Sequence, residues 1–406
     1  MARFQRDRNA GEEQRATTLE LFYDLVFVFA ITQVSHLLLV HVSWTGAGEA
    51  ALCLLVVWWA WNYTTWVTNE LDPDSVMVRL LLIAIMLGSL LMAVAIPEAF
   101  GEHGLLFAAS YVAIQVGRHT FLTFASASAG TIERERAGRI LAWFVAAGVL
   151  WIAGGFADGS ERVALWIAAL AIDYTAPLVT FWVPGRAPLS PSAWDVETSH
   201  FAERFQLFVI IALGETIVIT GATTSALDLD VTTVVAFGLA FLSTAALWWL
   251  YFGYVATIAE RRLELTDRRT ELARDAYTYL HAGIVAGIVL TAVGDELVIA
   301  HPTEQLPYDE LAVVVSGPAL YLLAHVAMRL RKAGTVSARR LSGAIACIAV
   351  GLVGLVVPAL AVSALLVGVL IAVIVWERVA EARREARGAP SPLERVETSA
   401  AASSEP

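Results

Sequence analysis

Two carboxylates, Glu20 and Asp24, stand four residues apart in an otherwise apolar run, Thr18-Leu-Glu-Leu-Phe-Tyr-Asp-Leu-Val-Phe-Val-Phe-Ala-Ile. In a helix that spacing puts them on one face, with Ser35 near the same azimuth three turns on. An acid inside a membrane-spanning helix costs about 2.5–3.5 kcal/mol at the centre on insertion scales and less near the ends, so it calls for a partner or a use. The chemistry on offer is a cation or proton site. The alternative is structural: Glu20 caps its own helix start and Asp24 pairs with an arginine.

A second set stands far along the chain, with Glu203 and Arg204 adjacent and Glu215 deeper in the same apolar run after Gly214. That glycine offers a place for a neighbouring helix to approach closely. Arg204 and Glu215 are three turns apart, roughly 16 Å at 1.5 Å per residue, and cannot pair directly. Arg204 is expected to reach Asp24 or Glu20, and Arg118 to pair with Glu215 or Asp173. The candidate ion- or substrate-binding residues are therefore Glu20, Asp24, His36, Arg118, Asp173, Glu203, Arg204 and Glu215. They suit either a transport or ligand site or an ion-pair network that only holds helices together. His36, His119, His281 and His325 could relay protons, since imidazole titrates near neutrality. Taken singly, each reads better as a hydrogen-bonded packing residue, and none has the spacing of a helical metal site.

The elements that position these groups follow from composition. Of 406 residues, 58% are hydrophobic and 16% charged, against about 45–50% and 25% in soluble domains. An all-α polytopic membrane protein is expected. At about 20 apolar residues per crossing, about twelve transmembrane helices are read. They cover 18–41, 47–68, 76–96, 104–126, 139–156 and 162–182, then 200–222, 231–257, 277–300, 310–330, 338–357 and 359–378. The first is too long, and lacks the small-residue cleavage site, for a removed signal peptide. With a cytoplasmic N-terminus, all but three of the 27 Lys and Arg fall in inward segments; Arg162 lies outward, and Arg118 and Arg204 lie within spans. Both termini are then inside a bacterial plasma membrane. Cys53 and Cys347 sit in apolar runs and read as packing residues.

The expected organisation is a cytoplasmic N-terminus (1–17), a first six-helix repeat (18–182), a proline-marked cytoplasmic linker (183–198), a second six-helix repeat (199–378) and a disordered cytoplasmic tail (379–406). The repeat rests on Trp58-Trp59 and Glu70 against Trp248-Trp249 and Glu260, and on Glu98 against Glu296. Two further matches are Tyr111, Gln115 and His119 against Tyr321, His325 and Arg329, and Glu20-Leu-Phe against Glu203-Arg-Phe. An even number of spans makes the copies parallel, related by an axis along the membrane normal. The tryptophans of the second span, Trp58, Trp59, Trp61 and Trp66, are expected mainly as interfacial anchors.

Several motifs carry a resemblance. They are Leu19-Glu-Leu-Phe-Tyr-Asp-Leu-Val-Phe-Val-Phe-Ala with Gln33 and His36, Trp58-Trp-Ala-Trp-Asn-Tyr-Thr-Thr-Trp-Val-Thr-Asn, Leu71-Asp-Pro-Asp, and Ala95-Ile-Pro-Glu-Ala-Phe-Gly. Gln115-Val-Gly-Arg, Asp173-Tyr-Thr-Ala-Pro, His200-Phe-Ala-Glu-Arg and Leu207-Phe-Val-Ile-Ile-Ala-Leu-Gly-Glu215 follow. Together, over roughly residues 17–220, they resemble the bacterial low-temperature-requirement A (LtrA) family. A glycine often found after the Glu-Arg pair is Gln206 here. The resemblance implies a bacterial inner-membrane protein linked by name to growth in the cold, with no settled molecular activity. Phe22-Tyr-Asp-Leu-Val-Phe-Val-Phe-Ala-Ile also resembles the Phe-Ser-Asp helix of a potassium-channel family related to the lysosomal channel. Thr18 stands where that motif has a basic residue, and Leu207 where its second Asp would fall.

The expected function is secondary transport or ion translocation through an intramembrane charged site between the first, fourth and seventh spans. The alternatives are an intramembrane lipid-modifying enzyme using Glu215 and His36, or a non-catalytic membrane sensor or scaffold. No phosphate loop, nucleophile elbow, zinc spacing or nucleic-acid module is found, so an enzyme is the less favoured reading, and no cofactor and no nucleic-acid partner are expected. The expected partners are the lipid bilayer and a small solute or ion.

Overall fold

The computed structural model describes residues 15–126, 131–189, 194, 196–253 and 255–404. Its elements are helices: α1 (Thr18–Val40), α2 (Trp44–Thr68), α3 (Val76–Ala95), α4 (Gly104–Phe121), α5 (Ile132–Phe156), α6 (Gly159–Thr175), α7 (Thr198–Ser225) and α8 (Val231–Phe252). They continue as α9 (Val255–Leu265), α10 (Arg269–Leu272), α11 (His281–Ala300), α12 (Tyr308–Ala333), α13 (Ala338–Gly354), α14 (Ala359–Glu385) and α15 (Pro392–Ser404). A π-helical stretch, Ala273–Leu280, leads into α11. Among the described residues, nine helices are long and apolar enough to cross a membrane. Three of the twelve expected stretches form shorter helices instead: α4 has 18 residues, and α6 and α13 have 17 each. α6 and α13 fall short in length, while α4 is long enough but carries Gln115, Arg118 and His119 in its run. α4 closes into a π turn at Leu122–Ser126, and α6 gives way to Thr180 and Phe181 in the left-handed region.

The chain divides into two compact units, one of residues 15–37 and 48–201, the other of 38–47 and 202–404. In the first, α4 packs against α3 and α5, and α5 against α6. Trp58, Trp59 and Trp61 of α2, Trp151 of α5 and Trp166 of α6 are buried in the core. This corrects the expected interfacial anchoring. α2 is surrounded by protein on most of its length, so its indoles pack. Trp59 stacks on Tyr174 with ring centroids 3.8 Å apart. Trp248 and Trp249, the matched pair of the proposed repeat, are exposed. On α3, Leu80, Ile83, Leu87, Leu91 and Val94 are exposed while Val78, Leu82, Ile85 and Met92 are buried, which gives the helix a lipid-suited apolar stripe. Arg162 is buried because its guanidinium satisfies carbonyls left open at helix ends. It donates to Ala99 O at 3.1 Å, Gly101 O at 2.6 Å and Ala157 O at 2.9 Å.

In the second unit α12 packs against α11 and α13, and α14 against α13 and α8. α8 starts at Asp230, whose carboxylate accepts the Thr233 N–H at 2.7 Å. That bond holds the Asp230 carboxyl below the usual carboxylate range. The α11–α12 seam is backbone against backbone. A Cβ on Gly317 would lie 2.5 Å from Thr291 N, and one on Gly287 would lie 2.7 Å from Tyr321 N. Such glycine contacts replace the missing hydrophobic drive between helices in lipid. Gly214 does not serve this purpose, because a Cβ there would meet nothing within 4 Å.

Residues 1–14, 127–130, 190–193, 195, 254, 405 and 406 lie outside the described residues, so the N-terminal segment and part of the 183–198 linker are not covered. α15 is joined to α9 by an Arg261–Glu397 ion pair at 3.0 Å.

Candidate functional site

The start of α1 is built as a capping box. Glu20 Oε2 accepts from Thr17 N and Thr17 Oγ1, both at 2.9 Å, and Glu20 N donates to Thr17 Oγ1 at 3.3 Å. The other oxygen, Oε1, lies 2.9 Å from His200 Nε2, and both side chains are 0% exposed. His200 Nδ1 is 3.1 Å from Asn69 Nδ2. The backbone N–H of Glu197 donates to Asn69 Oδ1 and Asn69 Nδ2 donates to Glu197 O, each at 2.9 Å. The Glu197 N–H can only donate, which fixes the amide with its oxygen there and its NH2 toward His200. His200 Nδ1 must then accept, and the neutral ring carries its proton on Nε2, donated to Glu20. Glu20 therefore caps α1, and its second oxygen is taken by a buried polar partner.

One turn on, Asp24 is buried and its Oδ1 accepts from Trp61 Nε1 at 2.8 Å. The preceding residue on α2, Ala60, offers its carbonyl to Tyr23 Oη at 3.5 Å and to Arg118 Nη1 at 3.4 Å. Arg118, on α4, is 0% exposed. It also donates to Thr64 Oγ1 at 2.8 Å and to Gln115 Oε1, and its Cζ lies 5.6 Å from the Tyr63 ring centroid. These acceptors are all neutral, and among the described residues no carboxylate forms an ion pair with Arg118 and its Nε has no hydrogen-bond partner. One stretch of α2 thus holds Asp24 through Trp61 and Arg118 through Ala60 and Thr64. A buried guanidinium facing only neutral acceptors can receive an anionic group at low reorganisation cost.

Asp173 is buried but does not meet Arg118. Its Oδ2 accepts from Tyr111 Oη at 2.9 Å and Trp151 Nε1 at 3.0 Å. His36 lies on the exposed face of α1. In the second unit Arg204 and Glu215 are buried and Glu203 is half-buried. Beside Glu215, Thr216 shares a hydrogen bond with Thr244 at 2.7 Å. Gln206, in the place of the common glycine, donates to Glu260 at 3.2 Å. The other three relay candidates, His119, His281 and His325, are hydrogen-bonded in the core. His119 Nδ1 meets Gln115 O, His325 Nδ1 meets Tyr321 O, and His281 bridges Ala276 O and Tyr251 Oη, each at 2.9 Å. Among the described residues no three His, Cys, Asp or Glu side chains converge as metal ligands would. Sequence reasoning missed His200, Asn69, Trp61 and Thr64 as site members. The only signal was that they fall in the quoted motifs.

The family model described as "Bacterial low temperature requirement A protein (LtrA)" matches residues 15–375. A protein of Rhizobium meliloti (strain 1021), Uncharacterized protein RA0937, is 41% identical over 313 residues, covering 77% of this chain and 76% of that one. No solved structure matches the chain.

Proposed function

The chain belongs to the bacterial low temperature requirement A protein family, and from that premise we propose that it is a secondary transporter or ion-translocating protein. It passes a small ion or solute through the charged interior of its helix bundle. The supporting observation is Arg118, completely buried and, among the described residues, hydrogen-bonded only to neutral groups, beside the α2 stretch that also holds Asp24. A fixed charge costs several kcal/mol when taken out of water. A protein that keeps one in an apolar bundle without a carboxylate on it retains a binding determinant for an incoming anion or for a coupled carboxylate. In this reading the chain crosses a bacterial plasma membrane twelve times with both termini cytoplasmic, the three shorter helices included. The two halves are six-helix repeats, and Glu203, Arg204 and Glu215 are the charged groups of the second. The lipid-modifying alternative would use Glu215 and His36 as acid and base.

The test is flux in liposomes holding the purified full-length protein, with proton, potassium and small organic anion gradients imposed separately. Flux lost in Arg118→Gln and in Asp24→Asn, in variants that keep the native unfolding temperature, supports the reading. Flux of any of these solutes that is unchanged by both variants removes this site, and no flux of any class removes transport.

A further inference from the structure

The second unit holds a cavity of about 510 Å³ walled by the ends of α9, α12, α13, α14 and α15. That lies within the roughly 300–1,000 Å³ typical of small-molecule pockets. Eight cationic side chains line it against two carboxylates. Both carboxylates are already engaged. Glu377 takes Arg340 through two bonds, at 2.9 and 3.0 Å, and Glu381 takes Arg378 at 3.2 Å. The other six are Arg262, Arg329, Lys332, Arg339, Arg384 and Arg395. Among the described residues none of these six forms an ion pair.

Two lining groups also present buried donors with no hydrogen-bond partner among the described residues, Lys332 Nζ and Arg262 Nε. The excess of Arg and Lys near span ends explains why cations lie on this side of a membrane. It does not explain why six of them, from five different helices, converge on one concave space and repel one another there. Guanidinium forks and an ammonium around such a space match the oxygens of phosphate. Basic pockets between helix ends are also where acidic lipid headgroups dock.

We propose that this cavity binds a multiply charged phosphate anion, with Lys332, Arg262 and Arg339 as principal contacts and Arg395 of α15 closing one wall. The ligand is either the headgroup of an acidic phospholipid or a soluble phosphorylated solute. The site is separate from the buried Arg118 and does not depend on any transport activity.

The experiment uses the full-length protein in neutral detergent, with two probes at matched ionic strength. Inorganic pyrophosphate is titrated while the unfolding temperature and binding heat are followed. Cardiolipin is added against a phosphatidylcholine control, and retained lipid is read by native mass spectrometry. Saturable binding of either probe is expected. It should fall about tenfold in Arg339→Gln, as loss of one charge-assisted hydrogen bond implies. It should fall likewise in Arg395→Gln, an exposed position on the last helix where the fold is not at stake. Binding of pyrophosphate assigns a soluble ligand, and binding of cardiolipin alone assigns a lipid. No binding of either probe, or binding unchanged in both variants, overturns the proposal.

Discussion

His200 Nε2 and Glu20 Oε1 face each other at 2.9 Å with both side chains completely buried, although 180 residues separate them in the chain. Removing the imidazole takes a donor from a buried carboxylate, a loss of about 1–3 kcal/mol. His200→Ala is therefore expected to lower the unfolding temperature of the purified protein. Asn69→Leu should do the same, since it leaves Nδ1 of His200 and the backbone N–H and C=O of Glu197 without their partner. An unfolding temperature unchanged in His200→Ala would show that the pair contributes nothing to the fold.

Arg118→Gln separates holding the fold from doing the work. Exchanging a buried charge for a neutral group of similar shape is often neutral or stabilising. The glutamine amide keeps hydrogen-bonding capacity toward Thr64 and the Ala60 carbonyl. The expected outcome is an unfolding temperature equal to or above that of the parent, with translocation lost. A marked fall in unfolding temperature would instead make Arg118 a structural residue.

Asp173 should behave in the opposite way. One oxygen takes both Tyr111 and Trp151, and an asparagine carbonyl can accept the same two bonds. Asp173→Asn should leave both unfolding temperature and flux nearly unchanged. Asp173→Leu strands two buried donors and should cost about 1–3 kcal/mol for each. Flux lost in a stable Asp173→Asn would return this carboxylate to the translocation path.

The α11–α12 seam has no room for side chains at its glycines. Gly317→Val would drive atoms into the Thr291 backbone, and overpacking of this kind costs about 1–3 kcal/mol or more. Gly238→Ala on α8, where a Cβ meets nothing within 4 Å, should be neutral or raise stability by up to about 1 kcal/mol. Thermal unfolding of the two variants side by side checks the contrast, and equal stability would mean the seam is looser than described.

Much of the fold is legible in residue order because a span must be apolar for its whole length. The run from Thr18 is a helix ending at Val40, and that from Val76 ends at Ala95, each within a residue of the hydropathy limit. α5 begins at Ile132, before its apolar stretch, because Thr131 caps it by accepting the Arg134 N–H at 3.4 Å. Hydropathy is blind to such a polar opening. The burial of Glu20, Asp24, Arg118 and Asp173 was legible, since an ionisable group in lipid must face protein. Their partners were not. Charge complementarity pointed Arg118 at Asp173, but Tyr111 and Trp151 satisfy that carboxylate with neutral donors. The His200–Glu20 pair depends on packing between distant segments, which no local spacing encodes. The Trp58–Trp61 cluster was misplaced for a related reason: hydropathy places a residue in the membrane but does not say whether it faces lipid or a neighbouring helix.

The glycine seam also bears on how the protein is made. α11 and α12 are consecutive, joined by residues 301–307, and touch through backbone atoms at Gly287 and Gly317. α11 carries Asp295 and Glu296 near its far end, a burden for a helix inserting alone. Entering as a hairpin, the pair would present the bilayer with one body joined along its backbone seam rather than with two separate helices. A bulky residue at Gly317 would then act during biosynthesis, reducing the amount of protein that reaches the membrane before altering anything the mature molecule does.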